Sequence, residues 1–222
     1  MIIISHRGNT KTGRCHCENS WEAFDLAIEI GVDGIETDLQ VSRDGRAILF
    51  HDRALDGTST SQLTHAELER RVGHAVPTLE EAVRRWDNII WNIELKAPDA
   101  FDQLVEIIRK YENRQKFLIT SFWHHLMTKC ANMLAVDCGI IVMHRPFSFE
   151  GFISESVKNC KNLNTLVWHY ERLDKSSVEH ANSYGIKNLA FDVCNQEEFL
   201  RCRQLRLDGI ITDHPERGLC KA

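Results

Sequence analysis

Two carboxylates lie two residues apart in the segment GVDGIETDLQVSRDGRAILFHD, which spans residues 31–52. Glu36 and Asp38 fall within a predicted β-strand, where side chains two residues apart point to the same face. Burying two bare carboxylates side by side is costly, because each disfavours the charge of the other and raises its pKa. The pair therefore indicates either a bound cation or a solvent-exposed face.

Polar and charged side chains occur at the ends of most other predicted strands. In chain order, the set is His6 and Arg7, Glu36 and Asp38, His51 and Asp52, Glu94 and Lys96, Thr120 and Ser121, and Thr212 and Asp213. If the strands form a parallel barrel, their carboxyl ends lie at one level of the fold, where such barrels build their active sites. We therefore expect these side chains to form one shared site.

The carboxylates of this set favour a metal site. Glu36, Asp38 and Glu94 are not accompanied by a cluster of cysteines or histidines, so they would offer oxygen ligands alone. Such a donor set suits Mg²⁺, Ca²⁺ or Mn²⁺. A divalent cation between the carboxylates would also remove their repulsion, which answers the problem of burying them together.

The cationic side chains and the histidines extend this interpretation to a reaction. Arg7 and Lys96 beside a divalent ion would bind an anion, and His6 and His51 could act as base and acid. Lys96 could alternatively form a Schiff base in an aldolase, but three nearby carboxylates favour its charged form. This combination of groups is suited to displacement at a phosphodiester.

The elements that must position these groups follow a regular alternation of strands and amphipathic helices. Strands are predicted at residues 2–5, 34–39, 47–50, 89–95, 117–122, 138–143, 165–170, 189–193 and 209–213. Segment 47–50 is interpreted as a hairpin excursion after a turn at Asp44-Gly45, which leaves eight strands followed by helices. The fold class is therefore α/β, a (β/α)₈ TIM barrel forming a single domain over residues 1–222 with a short insertion after the second strand.

Local signals support the helices of this scheme. Thr78 and Glu81 have the spacing of a capping box at the start of a helix. Gly31 is placed to end the first helix, since glycine is favoured just after a helix C-terminus. We therefore expect helices immediately after Thr78 and immediately before Gly31.

Composition limits the classes of partner and the cellular location. A net charge of −5 argues against a nucleic-acid surface, and no segment is long and apolar enough to span a bilayer or act as a stable membrane anchor. The N-terminal MIIISHRG lacks the features of a signal peptide, so we expect a cytoplasmic protein whose eight cysteines are reduced. Cys15 and Cys17 do not have the spacing of a zinc knuckle. Composition favours no particular oligomeric state.

The motifs, taken in order, resemble those of the glycerophosphodiester phosphodiesterases. The chain contains HRG at the first strand, then EN, IETD, DG and HD, followed by PTLEE, IELK, SF and DGIITDHP. The resemblance covers nearly the whole chain. It implies a TIM barrel of the phospholipase C-like type that uses a divalent cation to hydrolyse a glycerophosphodiester to glycerol 3-phosphate and an alcohol, with a role in lipid and glycerol metabolism.

The resemblance also implies roles for individual residues. The acid and base would be His6 and His51, the metal ligands Glu36, Asp38 and Glu94, and the phosphate-binding groups Arg7 and Lys96. Asn19 would help to shape the site and is expected to contact the substrate. Of the two histidines, we favour His51 as the acid, because it lies on the excursion nearer the variable part of the pocket. Further candidate pocket walls are Phe122, Trp168 and Phe191.

Three departures from the family pattern border the predicted pocket. The loop between Gly8 and Glu18 is longer than usual, Phe191-Asp192 replaces a frequent Trp-Thr, and the insertion after Asp52 is abbreviated to residues 53–68. These departures leave the reaction class intact and the alcohol of the small-molecule substrate open. Two alternative functions are a sphingomyelinase D-like transfer that yields a cyclic phosphate and a non-catalytic barrel that binds phosphate headgroups.

Overall fold

The computed structural model of the protein describes residues 1–11, 17–146, 148, 150–153 and 160–219. The strands in this part of the chain are β1 (Ile2–His6), β2 (Gly34–Val41), β3 (Ala47–Leu49), β4 (Ala54–Leu55), β5 (Thr58–Ser59), β6 (Ile90–Leu95), β7 (Lys116–Ser121), β8 (Asp137–Val142), β9 (Leu163–His169), β10 (Lys187–Phe191) and β11 (Gly209–Thr212). The predicted strands are all present, and most of their ends agree with the sequence to within two residues.

Helices follow the strands along the described chain. They are α1 (Trp21–Glu29), α2 (His65–Val72), α3 (Leu79–Arg85), α4 (Phe101–Tyr111), α5 (His124–Met133), α6 (Lys175–Ser183), α7 (Gln196–Gln204) and α8 (Pro215–Leu219). Three short 3₁₀ helices, Thr60–Gln62, Pro98–Ala100 and Tyr170–Arg172, and a helical turn at residues 150–153 complete the set.

Eight of the strands close into a parallel barrel. Neighbouring strands are hydrogen-bonded in the order β1-β11-β10-β9-β8-β7-β6-β2, and β1 also pairs with β2. The first and last strands therefore meet, with Ile2 opposite Gly209 and Ser5 opposite Thr212. This closed (β/α)₈ barrel confirms the predicted fold class, and it places the carboxyl ends of all eight strands on one face.

The local signals that favoured these elements are also confirmed. The Thr78 hydroxyl accepts from the backbone N–H of Glu81, whose carboxylate accepts in return from the backbone of Thr78. Gly31 follows α1 with φ of +79°. Gly45, with φ of +78°, lies in the turn between β2 and β3, and both conformations favour glycine.

The excursion after β2 builds a small subassembly beside the barrel. β3 pairs antiparallel with β2, and the β4–β5 hairpin, a 3₁₀ turn and α2 follow. Ile48, Leu63, Leu68 and Val76 form its own buried cluster. This packing fixes the chain on both sides of His51. The predicted insertion therefore positions His51 at the carboxyl face of the barrel.

Two apolar layers stabilise the barrel. The larger one fills the space between the strands and the outer helices, and it contains Trp91, Phe24 and Phe199. The smaller one lies inside the barrel and consists of Ile4, Leu118, Ile141, Val167, Leu189 and Ile211. Alternation of side chains along each strand sends neighbours to opposite layers.

In the described part of the chain, no helix combines the length and the apolar character needed to cross a membrane. Six cysteines of this part are free, namely Cys17, Cys130, Cys138, Cys160, Cys194 and Cys202. Cys15, which was considered together with Cys17, lies outside the described residues.

Candidate active site

A cavity of about 300 Å³ opens at the carboxyl face of the barrel. Its walls include the predicted site residues His6, Arg7, Glu36, His51, Glu94, Lys96, Phe122 and Phe191. Side chains from the first strand, the last strand and the excursion after β2 thus line one space. The structure therefore brings together groups that are far apart in the sequence, as the parallel barrel predicted.

The three predicted metal ligands converge on one point of this cavity. Glu36 and Asp38 both point inward from β2, and Asp38 lies opposite Glu94 in the register of β2 and β6. Carboxylate oxygens of the three residues lie within 4.8 Å of one another. Glu36 and Asp38 are only 4% and 0% exposed, so their charges are removed from water and must be compensated by their neighbours.

Neighbouring groups stabilise the charges of the three carboxylates to different degrees. Burial and the adjacent charge of Asp38 raise the pKa of Glu36 to about 8. Burial also raises the pKa of Glu94, against the opposing effect of Lys96. Although burial acts to raise it, the pKa of Asp38 is lowered overall, because Lys96, Arg7 and a hydrogen bond from Asn19 outweigh burial. In the absence of a cation, Glu36 therefore holds a proton near neutral pH.

Two cationic side chains border the triad. The Lys96 Nζ lies 3.1 Å from Glu94 Oε1 and 3.2 Å from Asp38 Oδ1. The Arg7 Nε lies 3.0 Å from Asp38 Oδ2, and its Nη1 donates to both oxygens of Glu18 at 2.9 and 3.0 Å. Both cations also line the cavity, so they could contact an anion bound there.

The residues present fit a divalent cation. Three converging carboxylates face two cations, so the cluster keeps an excess of negative charge when all its acids are ionised. Its donor atoms are carboxylate oxygens, the ligands that Mg²⁺, Ca²⁺ and Mn²⁺ prefer. A cation at this point would replace the proton that burial and repulsion place on Glu36.

His6 lies at the end of β1 and is held by Asp213, the residue after β11. Its Nδ1 donates to Asp213 Oδ1 at 2.7 Å, while its Nε2 lies 3.8 Å from Glu36 Oε2. Hydrogen bonding to His6 lowers the pKa of Asp213 to about 2, so the carboxylate is ionised. Burial acts to lower the pKa of His6, but Asp213 and Glu36 outweigh it and the net shift is upward. This arrangement directs Nε2 of His6 toward the triad.

His51 lies just after β3, within the excursion that follows β2, and its side chain reaches the cavity from there. Its Nδ1 lies 2.9 Å from Asp52 Oδ1 and 3.9 Å from Glu18 Oε1. Gln40 fixes the local chain, because its side-chain amide donates to the backbone carbonyls of residues 50, 51 and 52. His51 thus reaches the cavity from a segment outside the barrel wall, whereas His6 belongs to the wall itself.

The loop after β1 adopts backbone conformations that constrain the site. Arg7 and Asn19 have φ of +53° and +54°, which is uncommon for residues other than glycine. Gly8 also has a positive φ, and a Cβ there would lie 2.7 Å from the backbone of Ala23. Glycine is therefore required at residue 8, where α1 packs closely against the strand that carries His6.

Asn19 has a supporting position rather than a place on the cavity wall. It is 2% exposed, its amide donates to Asp38 Oδ2 at 2.8 Å, and its carbonyl accepts from the Thr37 hydroxyl. The predicted role of shaping the site agrees with this position. Direct contact with substrate, which was also expected, is not indicated by the structure, because Asn19 lies behind Asp38.

Trp168 requires a correction. It was expected to form a pocket wall, but it is fully buried in the layer between the barrel and the helices. Its indole N–H donates to Asn188 Oδ1 at 2.9 Å. The neighbouring residue Val167 points inward and lines the cavity instead, which is the alternation expected along a strand.

Sequence reasoning missed the partner of His6. Asp213 was noted at a strand end but was given no role, and it proves to be hydrogen-bonded to His6 across the junction of β1 and β11. Closure of a parallel barrel places the ends of its first and last strands side by side. That topology was the available signal, since it makes residues 6 and 213 neighbours.

Comparison with known proteins identifies the family to which this chain belongs. The model of the glycerophosphoryl diester phosphodiesterase family matches residues 6–143, which is more than half of the chain. The chain belongs to this family. It is therefore an enzyme of the phosphodiesterase class, and the matched segment contains both histidines, Arg7, Lys96 and all three carboxylates of the triad.

Individual relatives from this family align with almost the whole of this chain. The glycerophosphodiester phosphodiesterase of Caldanaerobacter subterraneus subsp. tengcongensis is 27% identical, with 97% of this chain and 95% of the relative aligned. A Mycobacterium tuberculosis protein named probable glycerophosphodiester phosphodiesterase 2 is 32% identical, with 97% and 88% aligned. The crystal structure of the Thermotoga maritima glycerophosphodiester phosphodiesterase has a TM-score of 0.85 at 27% identity, over 97% of this chain and 96% of that one.

A phosphodiesterase of Oleispira antarctica shares the fold at lower identity. Its structure, in complex with the product sn-glycerol-3-phosphate, has a TM-score of 0.83 at 22% identity and covers 98% of this chain and 95% of that chain. The same barrel therefore occurs with a phosphorylated glycerol bound in that protein.

Proposed function

We propose that this enzyme hydrolyses a glycerophosphodiester to glycerol 3-phosphate and an alcohol. The reaction would require a divalent cation, and two histidines would act as general acid and base. The observation that carries the proposal is the convergence of Glu36, Asp38 and Glu94 beside His6 in one cavity. The family of the chain and the glycerol phosphate bound by the Oleispira antarctica protein support the same substrate class.

The charged groups would bind the phosphodiester. Glu36, Asp38 and Glu94 would hold the cation, which when bound supplies positive charge to stabilise the phosphate oxygens. Arg7 and Lys96 line the cavity and would contact the remaining phosphate oxygens through their N–H groups. Because Asp38 pairs with both cations, it would also fix where they present those groups.

The two histidines would exchange protons with water and the leaving alcohol. Asp213 holds the Nδ1–H of His6, so the Nε2 lone pair of His6 can accept the proton of the attacking water. An upward shift in the pKa of His6 makes that nitrogen a stronger proton acceptor. His51 would donate the proton that the alkoxide needs as its bond to phosphorus breaks.

Finer attributes belong to the same proposal. The cation would be Mg²⁺ or Ca²⁺, with Mn²⁺ also compatible with the oxygen ligands. Residues 1–222 would form one catalytic domain acting on a small-molecule substrate in the cytoplasm, within lipid and glycerol metabolism. A net charge of −5 supports the absence of a nucleic-acid partner.

Chelated protein assayed on glycerophosphocholine, with each divalent cation added back, tests the proposal. We expect no turnover after chelation and recovery with at least one of the three cations. In ¹⁸O-water, glycerol 3-phosphate formed by direct hydrolysis gains one ¹⁸O, whereas a cyclic product contains none. Full activity in excess chelator, or a stable cyclic product, would contradict the proposed reaction.

A matched pair of variants controls for folding. Glu94→Gln removes a proposed ligand, and we expect its activity to fall by more than about 100-fold, beyond the cost of losing an outer partner. Glu106→Gln makes the same chemical change at an exposed position on α4, where no loss is expected. Equal activity of the two variants would exclude the proposed ligand set.

A further inference from the structure

The side chain of Gln40 connects the barrel wall to the excursion that carries His51. Gln40 lies on β2, where the strand period directs its side chain to the same face as those of Glu36 and Asp38. Gln40 is only 5% exposed. The neighbouring strand β3 ends at Leu49, which is also the last residue of β3 that is paired with β2. Gln40 is therefore placed to hold the chain just beyond the point where this pairing ends.

The amide of Gln40 binds three consecutive backbone carbonyls of that chain. Its Nε2 lies 2.7, 3.1 and 3.0 Å from the carbonyl oxygens of Phe50, His51 and Asp52. A side-chain amide has two N–H donors, so at least one hydrogen is shared between two carbonyls. All three carbonyls thus converge on a single donor group. Without that group, their oxygens would face one another in a space that is almost closed to water, and the segment would have to turn to satisfy them.

Other contacts hold the two ends of the same segment. The backbone N–H of Phe50 donates to the carbonyl of Asp38 at 2.9 Å. At the other end, the hydroxyl of the fully buried Thr60 donates to the carbonyl of Asp52 at 2.6 Å. Gln40 adds the contact with the middle residue, His51, whose imidazole lines the cavity. The conformation of this residue therefore depends on the amide of Gln40.

The imidazole of His51 has weaker support than its backbone. Its Nδ1 lies 2.9 Å from Oδ1 of Asp52, but the Asp52 side chain is 60% exposed. Water competes for such a contact, so it restrains the ring only weakly. The position of the ring is then determined mainly by the backbone from which it extends. Gln40 contacts that backbone, and the described lining of the cavity does not include Gln40.

We propose that Gln40 is a positioning residue for catalysis, which orients the backbone of residues 50–52 so that the imidazole of His51 reaches the proton it transfers. The inference rests on the proposed function and adds to it a residue outside the cavity. Asp213 positions His6 through its imidazole, whereas Gln40 positions His51 through its backbone. Proton transfer requires the two heavy atoms to lie at hydrogen-bond distance, so a small displacement of the segment slows this step.

Replacement of Gln40 by methionine tests this role. Gln40→Met keeps the length of the side chain and removes both N–H donors. We expect kcat on an alkyl phosphodiester to fall about 10–100-fold, since a misplacement of about 1 Å can cost about 100-fold. KM should stay within about twofold, because Gln40 does not belong to the described lining of the cavity. Gln204→Met makes the same change at an exposed position at the end of α7, where no loss is expected.

The same change in a His51→Ala background separates positioning from general damage to the protein. Once the imidazole is absent, Gln40 has no catalytic group to position, so Gln40→Met should change kcat of His51→Ala by less than about twofold. Gln40→Met should also follow His51→Ala in its dependence on the leaving group, when alkyl and nitrophenyl phosphodiesters are compared. Damage to the fold or to the carboxylate cluster would instead lower kcat equally in both backgrounds and on both substrates.

Failure of this inference is distinguishable from failure of the proposed function. If kcat of Gln40→Met stayed within about twofold of the native enzyme, or fell equally in the native and His51→Ala backgrounds, the positioning role would be overturned and the proposed function would stand. If His51→Ala itself kept the native kcat on the alkyl substrate, both the catalytic role of His51 and the positioning role of Gln40 would be refuted.

Discussion

Two histidine–aspartate pairs flank the cavity, and their surroundings differ. His6 is bound to Asp213 at 2.7 Å across the barrel seam, between residues 207 positions apart. His51 is bound to its immediate neighbour Asp52 at 2.9 Å. Both histidine side chains are 33% exposed, but Asp213 is 39% exposed and Asp52 is 60% exposed. The same chemical pair is therefore part of the barrel wall in one case and part of a surface segment in the other.

A hydrogen bond to an aspartate can therefore hold a histidine more or less firmly, depending on where the aspartate lies in the fold. An exposed contact between neighbouring residues contributes little, because water competes and the side chains remain mobile. A contact between two barrel strands is held by the backbone pairing of Ser5 with Thr212, one residue before each partner. We therefore expect His6 to depend on its aspartate and His51 to depend mainly on the segment that carries it.

The largest expected effect comes from removing the histidines themselves. His6→Ala and His51→Ala should each lower kcat by about 10²–10⁴-fold on an alkyl phosphodiester, the usual contribution of a general acid or base. On a nitrophenyl phosphodiester, whose phenolate needs little protonation, the His51→Ala loss should shrink and the His6→Ala loss should persist. Cation binding by both variants, measured by calorimetry, serves as the control.

Other outcomes of that experiment would change the assignment. If the His6→Ala loss shrank instead, His6 would be the acid and His51 the base. If kcat of both variants stayed within a few-fold of the native enzyme on the alkyl substrate, acid–base catalysis by these residues would be refuted.

Replacement of the two aspartates tests the comparison directly and should have a smaller effect. Asp213→Asn should lower kcat by about 10–100-fold, the range found when the carboxylate behind a functional histidine is altered. Asp52→Asn should cost at most about fivefold, since an exposed ion pair is worth roughly 0–1 kcal/mol. The acidic limb of the kcat/KM pH profile should move to lower pH in Asp213→Asn, because Asp213 raises the pKa of His6. Equal losses of activity in the two variants would contradict the claim that His6 depends more on its aspartate than His51 does.

The smallest effect is a change in how cation binding depends on pH. Burial and repulsion raise the pKa of Glu36 to about 8 in the metal-free protein, and the pKa of Glu94 moves in the same direction. A raised carboxyl pKa means that the folded state binds the extra proton, so metal-free stability falls as pH rises from about 4.5 toward 8. A bound cation removes this penalty.

Thermal unfolding at two pH values measures that dependence. The increase in Tm on adding cation should be larger at pH 8 than at pH 6. Glu36→Gln should reduce the difference between the two pH values, whereas Glu106→Gln, at an exposed position, should not. A cation effect on Tm that is the same at both pH values would show that Glu36 does not hold a proton in the metal-free protein.

The fold could be predicted from the sequence because its signals are local and repeated. Alternating strands and helices, the Asp44-Gly45 turn and the capping box at Thr78 each specify a short element. Eight strand–helix units allow few closed arrangements other than the barrel. The end of β10 was less predictable: Asp192 was expected within the strand, but it adopts φ of +62° and leaves it.

The site was predictable where spacing alone determines direction. Glu36 and Asp38 share a face because of the strand period, and β6 places Glu94 opposite Asp38. The orientation of Trp168 and the contact of Asp213 with His6 depend on how the whole barrel closes. Residue type suggested a pocket wall for Trp168, yet a large indole also suits a buried layer, and its strand phase decided between the two.

The pairing of β1 with β11 makes the formation of the active site depend on a late step of folding. Ile2 pairs with Gly209 and His6 with Asp213, and these contacts enclose almost the entire chain in a single loop. Such long-range contacts carry a high loop-closure entropy and raise the contact order of the fold. Because His6 meets its partner only at this seam, recovery of activity during refolding should report completion of the barrel, later than the appearance of helical signal.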